Sequence, residues 1–184
     1  MSSEPKRTLA ETNAILCAPG AMHELDTIMV DGRLQRVYKN QWPSVRDFWL
    51  WASDLYADKT YIVFENRRYT YKDTHLQATK LAAMFAGLYG VEKGDRVGIC
   101  SRNLPEYLMI FWACHLIGAI PTLANAFLPS APLVHCLTHT QCKVIVLDSE
   151  RADRLESVVA KLHAAILVIE DGKGRWKGNM LIRS

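Results

Sequence analysis

From residue 94 onward short apolar runs alternate regularly with stretches of helical spacing, without an internal sequence repeat. The apolar runs are RVGIC (96–100), AIPTL (119–123), KVIVL (143–147) and AILVI (165–169); helical patterns over 104–117, 131–140 and 150–163 lie between them. Short strands that are apolar on both faces and alternate with helices read as a parallel sheet built by right-handed crossovers. The expected fold class is therefore α/β, a parallel sheet with flanking helices. The helix from 104 is apolar nearly all round, through Leu108, Ile110, Phe111, Trp112, Leu116 and Ile117, and is expected to be buried on more than one side.

A β-hairpin and helix lead-in precedes the sheet. Residues 5–17 read as a short helix stopped by Pro19-Gly20. Apolar and polar residues alternate over 27–40 around Asp31-Gly32, a strong hairpin signal. In 43–56, Val45, Phe48, Trp49, Ala52 and Leu55 recur at helical spacing, with Ser44 as a capping residue. Residues 60–71 read as a second hairpin with Asn66-Arg67 near its turn. A helix over 72–90 follows, with Ala78, Leu81, Phe85 and Leu88 on one face and Gly90 as its stop. The expected division is an N-terminal helical extension (1–26), a partial large domain (27–170) and a loose tail (171–184) that lacks periodicity.

Length and composition bound the function. The 184 residues suit one domain with at most a small appendage. A net charge of +3, without a basic stripe, argues against a nucleic-acid partner. No Asp, Glu, Lys or Arg occurs from Tyr107 to Leu128, but His115, Gly118, Pro121, Thr122 and Asn125 interrupt the run, so a buried helix and strand are expected rather than a transmembrane segment. The start has no apolar signal region, and the last residues, Ile182-Arg183-Ser184, are not a peroxisomal tripeptide. Five cysteines without a CxxC pair point to a reducing compartment. A cytoplasmic location is expected, with peripheral membrane association left open.

Gly94 comes before its strand, whereas a phosphate-binding glycine loop follows a strand and opens a helix. VEKGDR is therefore a turn into the strand. Ser101, Arg102 and Asn103 follow the strand, at the carboxyl end where open α/β sheets bind ligands. They also suit a plain helix start, with Asn103 as cap, Pro105 in the first turn and Glu106 three residues on. The stretch 168–179 follows a strand, but Lys177 stands where either phosphate-loop pattern needs glycine. His135 and His139 are four apart on one helix, with Cys136 and Cys142 near. Without an H-E-x-x-H motif or paired cysteines, a helix end with incidental histidines is the preferred reading, and no metal site is assigned. No G-x-S-x-G elbow is present. Trp42, Phe48, Trp49, Trp51 and Tyr56 suit the packing of an amphipathic helix better than an acyl pocket.

Four segments in order carry a resemblance: Thr70-Tyr71-Lys72-Asp73-Thr74, Gly90 to Val97, Arg102 to Glu106, and Gly118 to Asn125. Together they resemble the first core segments of the AMP-forming acyl-CoA synthetases, in the adenylate-forming superfamily. The resemblance covers most of residues 10–170. It implies the N-terminal portion of the large domain of an ATP-dependent ligase that turns a carboxylic acid, fatty or aryl, into an acyl-adenylate and then an acyl-CoA. It implies ATP, Mg²⁺ and coenzyme A as cofactors of the whole enzyme. The Ser/Thr/Gly-rich phosphate loop and the lysine-bearing C-terminal domain of the family do not occur in these 184 residues. Hence no catalytic residue is carried over, no tight cofactor binding is expected, and the chain alone is expected to be inactive. Ser101, Arg102, Asn103 and Asn125 are the candidate substrate-binding residues. An alternative is a non-catalytic piece that associates with itself or a regulatory partner through uncovered apolar surface. An unrelated nucleotide-binding α/β module is a third reading, which the missing glycine loop disfavours.

Overall fold

The structure is a computed structural model that describes residues 6–169. These fall into two compact units, one ending at Ser44 and the other beginning at Val45. The tail expected from 171 onward lies outside the described residues.

In the first unit, helix α1 (Leu9–Leu16) starts at a capping box. Thr8 accepts the Glu11 N–H, while the Glu11 carboxylate accepts the Thr8 N–H. Strands β1 (Leu25–Val30) and β2 (Arg33–Tyr38) form an antiparallel hairpin. Its turn residues Asp31 and Gly32 both have positive φ, 47° and 75°, the conformation a two-residue hairpin turn needs.

The second unit opens with α2 (Val45–Leu55), which buries Trp49, Ala52 and Ser53. A hairpin of β3 (Thr60–Phe64) and β4 (Arg67–Thr70) follows. Helix α3 (Tyr71–Tyr89) begins at a Thr70–Asp73 capping box and ends at Gly90 in the left-handed conformation. Ala78, Leu81 and Phe85 are buried as expected. Leu88, expected on the same face, lies in the last turn at 78% exposure, and no described residue covers it.

The alternating region then forms β5 (Arg96–Cys100), α4 (Pro105–Ile117), β6 (Ile120–Leu123), α5 (Ser130–His139), β7 (Val144–Leu147), α6 (Ser149–Leu155) and β8 (Ala165–Val168). The strands make one parallel sheet in the order β6-β5-β7-β8. The helix expected over 150–163 is shorter: after Leu155 the chain tightens into a 3₁₀ segment, Glu156–Leu162. Adjacent Val158 and Val159, stiff at χ1, disfavour a continued α-helix there.

Alternate strand residues feed two apolar layers. Val97, Ile99, Val144 and Val146 pack with α2, α3 and α4. Cys100, Ile145 and Leu147 pack with α5 and α6, through Leu133, Leu137, Ala152 and Leu155. Gly98 leaves room for its neighbours, since a Cβ there would meet Ile145 Cγ1 of β7 at 3.2 Å, Cys142 Sγ at 3.3 Å and Leu137 Cδ2 of α5 at 3.4 Å. Helix α4 buries six residues, including Met109, Ile110 and Trp112, as its all-round apolarity requires. Trp49 is wholly buried and stacks on Trp112 with ring centroids 4.1 Å apart, and Trp112 Nε1 donates to the Tyr61 hydroxyl at 2.9 Å. The packing role expected of the α2 aromatics thus holds for Trp49.

Candidate functional site at the carboxyl edge of the sheet

The chain leaves β5 for β6 on one side and later enters β7 on the other. The crevice between β5 and β7 at their carboxyl ends is therefore the sheet's topological switch point, where open α/β sheets place ligands. Ser101, Arg102 and Asn103 follow β5 there, and Asn125 lies beyond β6 on the same edge. The Gly94 turn sits at the other end: Gly94, φ 90°, precedes β5, and Asp95 Oδ2 accepts from the Glu92 N–H and from Lys143 Nζ, both at 2.9 Å. Lys143 thereby holds the Asp95 carboxyl below its usual range.

Asp148, immediately after β7, organises the edge. It is fully buried. Its Oδ2 accepts the Arg102 N–H at 2.8 Å, and its Oδ1 accepts the Arg151 N–H at 2.9 Å, which caps α6. Arg102 Nε lies 3.5 Å and Arg151 Nη1 3.3 Å from the carboxylate. The Arg151 side chain is 3% exposed. Its Nε donates to the Ala126 carbonyl at 2.9 Å, Nη1 pairs with Glu150 at 2.8 Å, and the guanidinium lies 5.5 Å from the Phe127 ring centroid. Arg154 donates to the Leu128 carbonyl at 3.0 Å. One buried charge cluster therefore ties the turns after β5, β6 and β7 together. A buried pair of this kind persists only when its groups find hydrogen-bond partners; here both Asp148 oxygens accept backbone N–H groups, and Arg151 Nε and Nη1 are both engaged.

The four candidate residues divide by role. The Ser101 hydroxyl is buried and donates to the Arg102 carbonyl at 2.6 Å. Asn125 Oδ1 accepts the Phe127 N–H at 2.9 Å, an Asx turn that shapes its loop. Arg102 meets Asp148. Asn103 is exposed and lines a cleft of about 300 Å³ with Ile62, Phe64, Leu104, Tyr107 and Leu108. Asn103 does not cap α4. The cap position is Leu104, with φ −94° and ψ 155°, because Pro105 at the first helical position forces the preceding residue to be extended. Asp148 and Arg151 were not among the candidates; the available signal was an Asp directly after an apolar strand with Arg three residues on.

The two helix starts at this edge offer no open cradle of N–H groups to a nucleotide. Helix α4 starts with Pro105, which has no N–H, and α6 is capped by its own Asp148. The Asp148 carboxylate faces two backbone N–H groups and two guanidinium groups rather than an open position. Among the described residues there is no group of three or more His, Cys, Asp or Glu that could hold a metal. These residues do not fit a triphosphate or Mg²⁺ site. Cys100, beside Asp148, is pushed up to about 11 by burial and is no nucleophile at neutral pH. Among the described residues no helix is long and apolar enough to cross a membrane.

The chain matches the family model described as AMP-binding enzyme over residues 49–182. It is 35% identical to the acyl-CoA ligase sidI of Aspergillus fumigatus over 58% of this chain and 18% of that protein. It is 32% identical to a medium/long-chain-fatty-acid–CoA ligase of Mycobacterium tuberculosis over 68% of this chain and 19% of that protein. Among solved structures, a long-chain-fatty-acid–CoA ligase from Archaeoglobus fulgidus superposes with a TM-score of 0.62 at 25% identity, covering 68% of this chain and 27% of that one. The chain thus spans about one fifth of the length of these curated relatives. With a family match across the whole parallel sheet, the chain belongs to the AMP-binding enzyme family.

Proposed function

We propose that these residues form the N-terminal part of an ATP-dependent carboxylic acid–CoA ligase that makes an acyl-adenylate and then an acyl-CoA, with a fatty or aryl acid as substrate. The observation that carries this reading is the family match over the α/β sheet, together with relatives named as CoA ligases for acyl, coumarate and fatty substrates. In this reading ATP, Mg²⁺ and coenzyme A bind the whole enzyme. Residues 1–26 are an extension, 27–170 are part of the large domain, and the cytoplasm is the working compartment. Ser101, Arg102, Asn103 and Asn125 border the acyl side. The Asp148–Arg151 cluster holds their loops in place, and no residue of this chain touches the reacting phosphate. By itself the chain forms no acyl-adenylate, because attack on the α-phosphate needs preorganised donors for the developing charge and the sequence has no Ser/Thr/Gly-rich loop to supply them.

The test is carboxylate-dependent exchange of labelled pyrophosphate into ATP, assayed with fatty, aryl and short-chain acids. The chain alone is expected to match the blank. Mixed with the segment of a CoA ligase that follows its matched region, it is expected to support exchange. Exchange by the chain alone refutes the inactivity, and an inactive mixture whose parts demonstrably bind refutes the ligase reading. A second reading, self-association, rests on the exposed apolar residues Ile120 (47%), Leu123 (52%) and Phe127 (78%) at and beyond the edge strand β6. Size-exclusion with light scattering decides it: dimers or larger species support it, and a monomer at high concentration removes it.

A further inference from the structure

His135 and His139 take no part in the function proposed above. They lie on α5 four residues apart, a spacing that stacks side chains on one helix face one turn apart. The structure shows this directly: the two imidazoles are stacked, with centroids 5.7 Å apart and planes 17° from parallel. Both residues are exposed, and neither side chain is hydrogen-bonded or ion-paired to a described residue. Exposure leaves both rings free to turn about χ1 and χ2 and present a nitrogen each to a common point. His139 is also the last residue of the helix. The free carbonyls of a helix C-terminus make that end favourable for positive charge.

We propose that His135 and His139 form a two-histidine chelate for a divalent transition-metal ion, with water completing the coordination. Two neutral imidazoles at this spacing on a helix are the arrangement through which metal-binding helices bind zinc. Imidazole nitrogen suits copper, nickel and zinc, and the general order of affinities puts Cu(II) above Ni(II) and Zn(II). The site is open and peripheral rather than a closed structural centre. Cys136 is one residue from His135, about 100° round the helix, and does not share the face of the pair. Metal bound here links two turns of α5 and stabilises the native state in proportion to its occupancy.

The probe is Ni(II), which does not oxidise the exposed Cys136 thiol as Cu(II) would. It is titrated at neutral pH into the full chain, free of any histidine tag, by calorimetry. One ion per chain is expected. His135→Ala and His139→Ala are each expected to weaken binding by at least about tenfold, while Cys136→Ser and His163→Ala leave it unchanged. Alanine is a strong helix former and both histidines are exposed, so the variants retain the fold. As an independent readout, Ni(II) is expected to raise the melting temperature of the native chain but not of His139→Ala. Native affinity retained by either His135→Ala or His139→Ala overturns the proposal, as does loss of binding in Cys136→Ser.

Discussion

Replacing Arg151 by Met tests whether the buried cluster holds the carboxyl edge together. The substitution keeps an unbranched chain of similar length but removes the guanidinium. It deletes the 3.3 Å pairing with Asp148 and the 2.9 Å bond to the Ala126 carbonyl. Asp148 stays buried, with the Arg102 and Arg151 N–H groups at 2.8 and 2.9 Å and Arg102 Nε at 3.5 Å. Breaking a buried pair by removing one partner costs about 3–5 kcal/mol. Three contacts remain to the carboxylate, so the lower end, about 3 kcal/mol, applies. For a chain of this size that corresponds to a melting temperature lower by about 6–12 °C. Urea denaturation followed by tryptophan fluorescence reads the loss. Native-state hydrogen exchange reads where it falls, with protection expected to drop first at residues 124–128. The double variant Asp148→Asn/Arg151→Met is expected to lose less than the sum of its parts, because the two side chains share one interaction. A loss below about 1 kcal/mol with exchange unchanged would refute the claim that this cluster fixes the loops.

Three further predictions rest on other parts of the second unit. Burial lowers the His75 and His115 pKa values below that of a free imidazole. Their contribution is therefore intact above the unfolded value of about 6.5 and is lost as pH falls from there toward the lower folded values. The urea midpoint should drop more steeply below pH 6.5 in the native chain than in a His75→Gln/His115→Gln variant, and parallel profiles would disprove it. Trp112→Phe removes the N–H that reaches the Tyr61 hydroxyl; the expected cost is about 1–2 kcal/mol by denaturation. Tyr61, already raised by burial, loses the donor that favours its ionised form, so it should titrate higher still by near-ultraviolet absorbance. Gly98→Ala pushes a methyl to 3.2 Å from Ile145 Cγ1 in the middle of the sheet, and should destabilise by about 1–3 kcal/mol in the same assay.

Where the sequence reading and the structure differ, the cause is specific. Leu88 fits the apolar spacing of α3 but lies in its last turn, so periodicity placed it on a face that nothing described covers there. Asn103 has the chemistry of a helix cap, yet Pro105 moves the helix start one residue on. Asn125 and Ser101 lie on the expected edge, but their side chains shape turns. The cleft beside Asn103 needs β3 and α4 side by side, and no local pattern reports that contact.

Taken alone, the sequence determined the layered α/β architecture, the four strand positions and the family. Strands apolar on both faces, helical spacing and turn residues are all local, and each is written within a few neighbouring residues. Only the tertiary structure decided the order β6-β5-β7-β8 and, with it, what meets at the carboxyl edge. Asp148 reaches the backbone of Arg102, 46 residues earlier, and Arg151 reaches Ala126, 25 residues earlier. Those charges are stable in the interior only because strand order brings their partners within hydrogen-bond range, and strand order is a property of the whole sheet.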